Sequence, residues 1–244
     1  MSWNQLPTAC AAAAWIARRR PRSVRAAGAL VLLALAGALL AAGQAPASEE
    51  TPPVPSLEAL MRGMAGSSGV VAGFHERKEI ALLSEPIETR GTLVFVPPDR
   101  LLRATTEPSR SRLVIAGERF AFLDDAGGEV VDLSSNPLAR AFVENFIVLF
   151  NGDLEALRER YQPEFQAAGA DWRLTLLPRH RPLSDVMVRV TLAGAGRTLQ
   201  RMEMLETDGD RTLTRFEDVE VDRSFSPEEL DRLFAIPGTD PAAP

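Results

Sequence analysis

The chain has 244 residues, enough for one large domain or two small ones, and its 45% apolar and 25% charged residues are ordinary for a globular protein. Five of its 27 basic residues (Arg18, Arg19, Arg20, Arg22 and Arg25) lie in the first 47 positions, where no Asp or Glu occurs; the remaining 197 residues hold 22 basic against 33 acidic side chains, and the net charge passes from −6 to −11. So acidic a chain argues against sequence-independent nucleic-acid binding, which needs Lys and Arg to neutralise phosphates. Cys10 is the sole cysteine, so the chain beyond residue 47 has no disulfide, thiolate nucleophile or cysteine metal site. His75 and His180 are too far apart in sequence to suggest a histidine cluster.

The basic stretch 18–25 precedes seventeen uncharged residues, 26–42, rich in Ala, Gly and Leu. A membrane-spanning helix needs about 20 apolar residues. A positive start, a short apolar run and the small residues Ala45 and Ala47 describe a secretory signal peptide over 1–47, cut after Ala47. An uncleaved anchor is the alternative; in both cases the rest of the chain works outside the cytoplasm, a compartment that in a two-membrane bacterium is the periplasm. Residues 48–55 are Pro-rich and polar and read as a linker, followed by one domain over 56–237 and a disordered tail over 238–244.

Ser56 is placed to cap a short helix over 57–64, with Leu57, Leu60, Met61 and Met64 on one face. Short strands are expected at 70–82, 87–96, 100–106, 110–115, 119–123 and 129–133, because Pro, Gly and Asp cluster between them. In the second strand Leu93 and Phe95 share a face with Gly91. Ser135 or Asn136 then caps a helix with Pro137 in its first turn and a broad apolar stripe that includes Leu138, Phe142, Phe146, Leu149 and Phe150, stopped at Gly152. A more polar helix comes next, over 154–161. Strands resume at 172–177, 186–192, 198–206 and 211–221, with Asp208-Gly209-Asp210 a strong hairpin turn, and Ser226-Pro227-Glu228-Glu229 opens a last short helix. The total is ten or eleven antiparallel strands in one large sheet with helices on one side: class α+β, a sheet long enough to curl or close.

No constellation argues for an enzyme, a cofactor or a metal. Gly66-Ser67-Ser68-Gly69 lacks the spacing of a nucleophile elbow, and Gly194-Ala195-Gly196 lacks the third glycine of a dinucleotide loop. The start of a calcium loop at Asp208 fails where Leu213 and Val219 stand in place of Gly and Glu. Asp124-Asp125 and Glu228-Glu229 are sequence neighbours whose side chains diverge, so they read as a turn and a helix start.

What calls for explanation is the amount of hydrocarbon. Phe74, Leu93, Phe95, Leu101, Leu113, Ile115, Trp172, Leu174, Leu176, Met202 and Met204 are candidates for one sheet face, and Phe142 and Phe146 for the helix that covers it. Two readings stay open on composition alone. Helix on sheet is a packed core, or the two enclose a cleft for an apolar ligand, a role that suits aromatic, Leu and Met side chains.

A resemblance weighs on that choice. Gly73-Phe74-His75-Glu76-Arg77-Lys78, then Gly91-Thr92-Leu93-Val94-Phe95-Val96-Pro97-Pro98, then 101–108, then Leu113-Val114-Ile115-Ala116-Gly117 resemble, in order and spacing, the outer-membrane lipoprotein carrier (LolA-like) family; Phe225 and Pro237 are similar to its closing residues. The resemblance implies an unclosed β-barrel with helices plugging its concave side. It implies a soluble, monomeric periplasmic chaperone that shields lipoprotein acyl chains between an inner-membrane transporter and an outer-membrane acceptor. Leu101 and Leu113 match positions on the apolar inner surface, with Leu93 and Phe95 on the matching strand. Two positions depart. Pro97 stands where the family has an arginine that helps hold the lid closed, and Arg103 stands where it has an aromatic. Arg103 is therefore a candidate polar latch for the lid, the other reading being a solvated strand arginine. These departures suggest a divergent branch whose cargo is lipoprotein or another lipid or glycolipid. A membrane-anchored lipid-binding sensor of the same fold is a further alternative.

Overall fold

The computed structural model describes Val54 and residues 56–236, so the expected signal peptide, most of the linker and the tail lie outside the described residues. The elements in chain order are α1 (Leu57–Ala65), β1 (Val70–Glu79), β2 (Ile87–Val96), β3 (Arg100–Glu107), β4 (Ser111–Ala116), β5 (Arg119–Asp124), β6 (Gly127–Asp132), α2 (Pro137–Asn151), α3 (Leu154–Arg160), β7 (Tyr161–Ala168), β8 (Asp171–Pro178), α4 (Leu183–Val186), β9 (Met187–Ala195), β10 (Thr198–Glu206), β11 (Arg211–Val221) and α5 (Pro227–Leu233).

All eleven strands join one antiparallel sheet in the order β6-β5-β4-β3-β2-β1-β11-β10-β9-β8-β7. It consists of two meanders, β1–β6 and β7–β11, fused where β1 pairs with β11. The edges are β6 and β7, so the sheet does not close. The helical passage through α2 and α3 links one edge to the other. Local chemistry explains the helix limits. The Ser56 hydroxyl accepts from the Ala59 N–H, and Ser226 and Glu229 form a reciprocal capping box at α5. At α2 the cap is Asn136, whose side-chain oxygen accepts from the Ala139 N–H. Gly152 ends α2 at φ 68, a conformation that only glycine adopts without strain.

The structure corrects the sequence reading in five places. Strand β7 was not expected: Pro163 and the polar Gln162, Glu164 and Gln166 weaken its signal, yet an edge strand tolerates both. The short helix α4 lies between the expected strands 172–177 and 186–192 and takes Val186, the first residue of the second. Strand β1 ends at Glu79, and Leu82 lies in the following loop, 94% exposed. Val54, within the expected linker, is buried, donates its N–H to the Gly169 carbonyl and packs with the core. Finally, the helices do not all lie on one side. The face of β2 that carries Leu93 and Phe95, here the inner face, packs against Ile147 of α2, while Val94, Leu102, Val114 and Ala121 on the outer face pack against Phe234 and Ile236, with Leu230 and Leu233 of α5 against them. The C-terminal segment is thus the cover of the outer face, tied there by Arg112, which donates to the Leu233 carbonyl at 2.7 Å.

Candidate functional site

Strand register gathers the predicted apolar residues on the inner face. Phe95 pairs with Leu101 and Leu101 with Ile115; Leu93 pairs with Arg103 and Arg103 with Leu113; Phe74 faces Gly91 on one side and Phe216 on the other. Gly91 is required there. A Cβ would lie 2.0 Å from the Ala104 carbonyl oxygen and 2.9 Å from the Phe74 ring. The site residues form two clusters rather than one continuous lining. Phe74, Leu93, Phe95, Leu101 and Ile115 are buried with Ile147 of α2, and half-buried Leu113 packs against them. Trp172, Leu174, Met202 and Met204 are buried with Leu57, Leu60 and Met61 of α1 and Leu157 of α3. The side chains of Phe142 and Phe146 lie outside those described. Phe150 and Phe216 pack against both clusters, and the Phe95 and Phe150 rings sit 5.5 Å apart. Sequence reasoning placed Phe150 in the helix stripe but missed its bridging position, and it missed α1 and α3 as covers. The apolar spacing of Leu57, Leu60 and Met61 was the available signal.

Where the two clusters meet, a cavity of about 50 Å³ remains, lined by Met64, Val70, Leu93, Phe95, Phe150 and Phe216, with Arg197 and Leu199 among its other walls. That volume takes a few water-sized groups, not an acyl chain. Around it, the described side chains of both clusters are packed together. A wider opening of about 260 Å³ includes Arg90, Thr92, Thr106 and Glu107 in its walls; it is polar and lies away from the helices. The His75–Glu88 pair, 3.3 Å apart, projects from the outer face and has no nucleophile in its described hydrogen bonds.

The helices are held by exposed polar ties. Arg197 donates through Nε to the Gly63 carbonyl of α1 at 3.0 Å and through both terminal nitrogens to Asp222 at 2.7 and 2.8 Å. Its guanidinium holds the Asp222 carboxyl below the usual carboxylate range. Arg158 bonds Glu58 at 2.6 Å and joins α3 to α1; backbone hydrogen bonding at the helix start, then Arg158, keeps Glu58 below its ordinary value. Arg160 bonds Glu144 at 3.0 Å and joins α3 to α2. Asn151 donates to the Pro98 carbonyl at 2.7 Å, and Arg140 pairs with Glu118. Exposed ties of this kind contribute little, because water and salt screen them. Hydrocarbon packing is what closes the structure.

Among the described residues, Arg103 has no hydrogen bond to a helix. Its guanidinium bonds Glu76 at 2.8 Å, Thr89 at 3.2 Å and Thr105 at 3.1 Å, all on the sheet, and lies 4.3 Å over the Phe74 ring. The strand geometry brings these groups together: Arg103 and Glu76 both point inward two strands apart, within reach of a charge-assisted bond. Beside the turn that carries Pro97, the described tie to α2 is the one from Asn151. Glu76 also accepts from the Thr214 hydroxyl at 3.0 Å, and Lys78 bonds Glu206 at 2.8 Å with Asp210 at 3.6 Å. This polar group was missed as a unit. Its signal was the alternation Phe74, Glu76, Lys78, which puts all three on one face.

Residues 67–231, about two thirds of the chain, match the family model described as outer membrane lipoprotein carrier protein LolA. The chain belongs to the LolA family. The match includes the strands whose motifs carry the resemblance, and the open eleven-stranded sheet has the architecture expected from it. No curated protein matches the sequence. Among solved structures, the chain is similar to a LolA superfamily protein from Nitrosomonas europaea (11% identity, TM-score 0.40, covering 75% of this chain and 99% of that one). It is also similar to a putative outer membrane lipoprotein-sorting protein domain from Vibrio parahaemolyticus (9%, 0.43, 72% and 95%) and to the lipoprotein LppX of Mycobacterium tuberculosis (11%, 0.37, 70% and 98%). It is the sequence match over 67–231 that places the chain in the family. Among the described residues, no helix is long and apolar enough to cross a membrane.

Proposed function

We propose that this LolA-family protein is an exported carrier that binds the acyl chains of lipoproteins in the periplasm and shuttles them toward the outer membrane. In this reading it takes cargo from an inner-membrane transporter, hands it to an outer-membrane acceptor and performs no chemistry on it. The observation that carries the reading is the seam between the two inner clusters, an apolar cavity walled by α1, the end of α2 and both halves of the sheet. Magnitudes support opening. An acyl chain of about sixteen methylenes gains on the order of 12 kcal/mol on leaving water, at ~0.8 kcal/mol for each. Lifting the end of α2 exposes Ile147, Val148, Leu149 and Phe150, at about 1.5–3 kcal/mol for each side chain, so the ligand's gain matches the size of that cost.

The seam is also where the sheet halves share Phe150 and Phe216, so a chain inserted there contacts both clusters. A second reading, a carrier of another lipid or glycolipid, is favoured by Arg103 and its polar partners in the midst of the lining. Native mass spectrometry of the protein isolated from an exporting cell tests the first reading, together with uptake of a fluorescent fatty acid by the purified protein. Bound mass of acylated species and saturable uptake are expected. A clean protein that takes up no probe overturns it.

A further inference from the structure

Resting on the carrier reading, we propose that the inner face carries a second, polar subsite, which takes the uncharged hydroxyl-bearing head of a lipid whose tail occupies the apolar seam. The inner face changes character at one level across adjacent strands. Along β1 it runs Val70, Ala72, Phe74 and then Glu76 and Lys78. Along β11, paired with β1, Phe216 gives way to Thr214 and Thr212; along β2, Phe95, Leu93 and Gly91 give way to Thr89. On β3, Leu101 is followed by Arg103 and Thr105. From Val70 to Phe74 the apolar part is about 13 Å long at ~3.3 Å per residue.

This belt sits in the middle of the sheet, on a strand paired on both sides, where an inward position ordinarily carries core. Its residues are nevertheless withdrawn from water: Thr212 is 2% exposed, Thr214 3% and Lys78 8%. Hydrocarbon of the same volume serves a core at least as well as ion pairs do. The Thr212 hydroxyl goes further. It is buried and has no hydrogen-bond partner among the described residues, an arrangement that costs stability. Thr212 pairs across the strands with Lys78, which bonds Glu206 and approaches Asp210. A lone hydroxyl beside this ion-pair group is a vacant donor and acceptor at the polar end of an apolar face.

Charge selects the head. Arg103 and Lys78 face Glu76, Glu206 and Asp210, so the belt carries one negative charge in excess and both cations are engaged. A phosphate or carboxylate head meets repulsion and has to break an existing pair. An alcohol both accepts and donates, so it bonds the Thr212 hydroxyl and a carboxylate of the belt without altering the charge balance.

The experiment measures displacement of a bound fluorescent fatty acid from the purified protein by three ligands with one tail: 1-oleoylglycerol, methyl oleate and oleate. Oleoylglycerol is expected to bind at least ten-fold tighter than either of the others. Thr212→Val, nearly equal in volume, is expected to reduce that preference to about two-fold while leaving methyl oleate unchanged. Lys78→Met is expected to act in the same direction, with thermal melts checking that both variants fold. Equal affinity for the three ligands, a preference for oleate, or a preference that survives Thr212→Val overturns the head-group subsite and leaves the carrier reading standing. If none of the three displaces the probe, or the probe itself does not bind, both fall.

Discussion

The two halves of the inner face are built alike and covered differently. In β7–β11, Leu174, Leu176 and Val190 are at most 2% exposed, roofed by α1 and α3, with Trp172 further pinned by its indole N–H to the Gly196 carbonyl at 2.9 Å. In β1–β6 the inner face is covered by α2, and Leu113 and Phe120 remain half-buried. The difference teaches that equal hydrophobicity does not mean equal commitment to folding. The second half is roofed by α1, α3 and Val148 and Leu149 of α2. The first half meets, among the described residues, only α2, through Ile147, Val143 and Phe150.

The sharpest way to break this comparison is to delete volume on each side. Leu174→Ala is expected to cost about 2–5 kcal/mol in urea unfolding, since the site cannot collapse. Leu113→Ala is expected to cost about 1 kcal/mol or less and to weaken fatty-acid probe binding. Equal losses at the two sites would erase the distinction. Gly152→Ala acts on the hinge between the covers. Its Cβ would lie 2.3 Å from the Met61 carbonyl oxygen and the Ala65 nitrogen, so α1 and the end of α2 must separate. A loss of about 2 kcal/mol is expected with faster probe uptake in stopped-flow fluorescence. Slower uptake would mean that the seam does not open at α1.

Thr212→Val is expected to raise thermal stability by about 1 kcal/mol, because it removes a buried hydroxyl without a partner; a loss would mean that the hydroxyl is satisfied in solution. Arg197→Met is the gentlest change. Asp222 is depressed in the folded protein, so its contribution to stability is present above the ordinary carboxyl value and is lost as pH falls through its folded value. Without Arg197 the Asp222 titration, followed by carboxyl NMR, moves upward, and that part of the acid loss disappears. An unmoved titration would show that the tie to α1 is absent in solution.

The belt sharpens the comparison along a second direction, from the α1 end of the strands to the Lys78 end. Most strands were legible because alternation and turn residues are local. Ile87–Val96, Thr198–Glu206 and Arg211–Val221 fall where the pattern puts them. β7 was not, because an edge position pardons Pro163 and three polar residues, and being an edge is a property of the whole sheet. The apolar site residues were legible as a set, since parity along each strand puts them on one face. Their division into two clusters was not, because it depends on which helix lands where. Arg103 shows the limit most clearly: its presence among apolar neighbours was visible, but its partner Glu76 lies 27 positions away and meets it only through the pairing of three strands.

By itself, then, the sequence determined the strand count within one, the helix caps, the family and the apolar character of one face, all of which come from short-range periodicity, turn chemistry and the order of short motifs. The tertiary structure decided that the sheet stays open, that α5 guards the outer face while three helices share the inner one, and that the interior is shut down to a narrow seam. Those outcomes depend on long-range register and on volumes meeting across the sheet, quantities that no window of neighbouring residues contains.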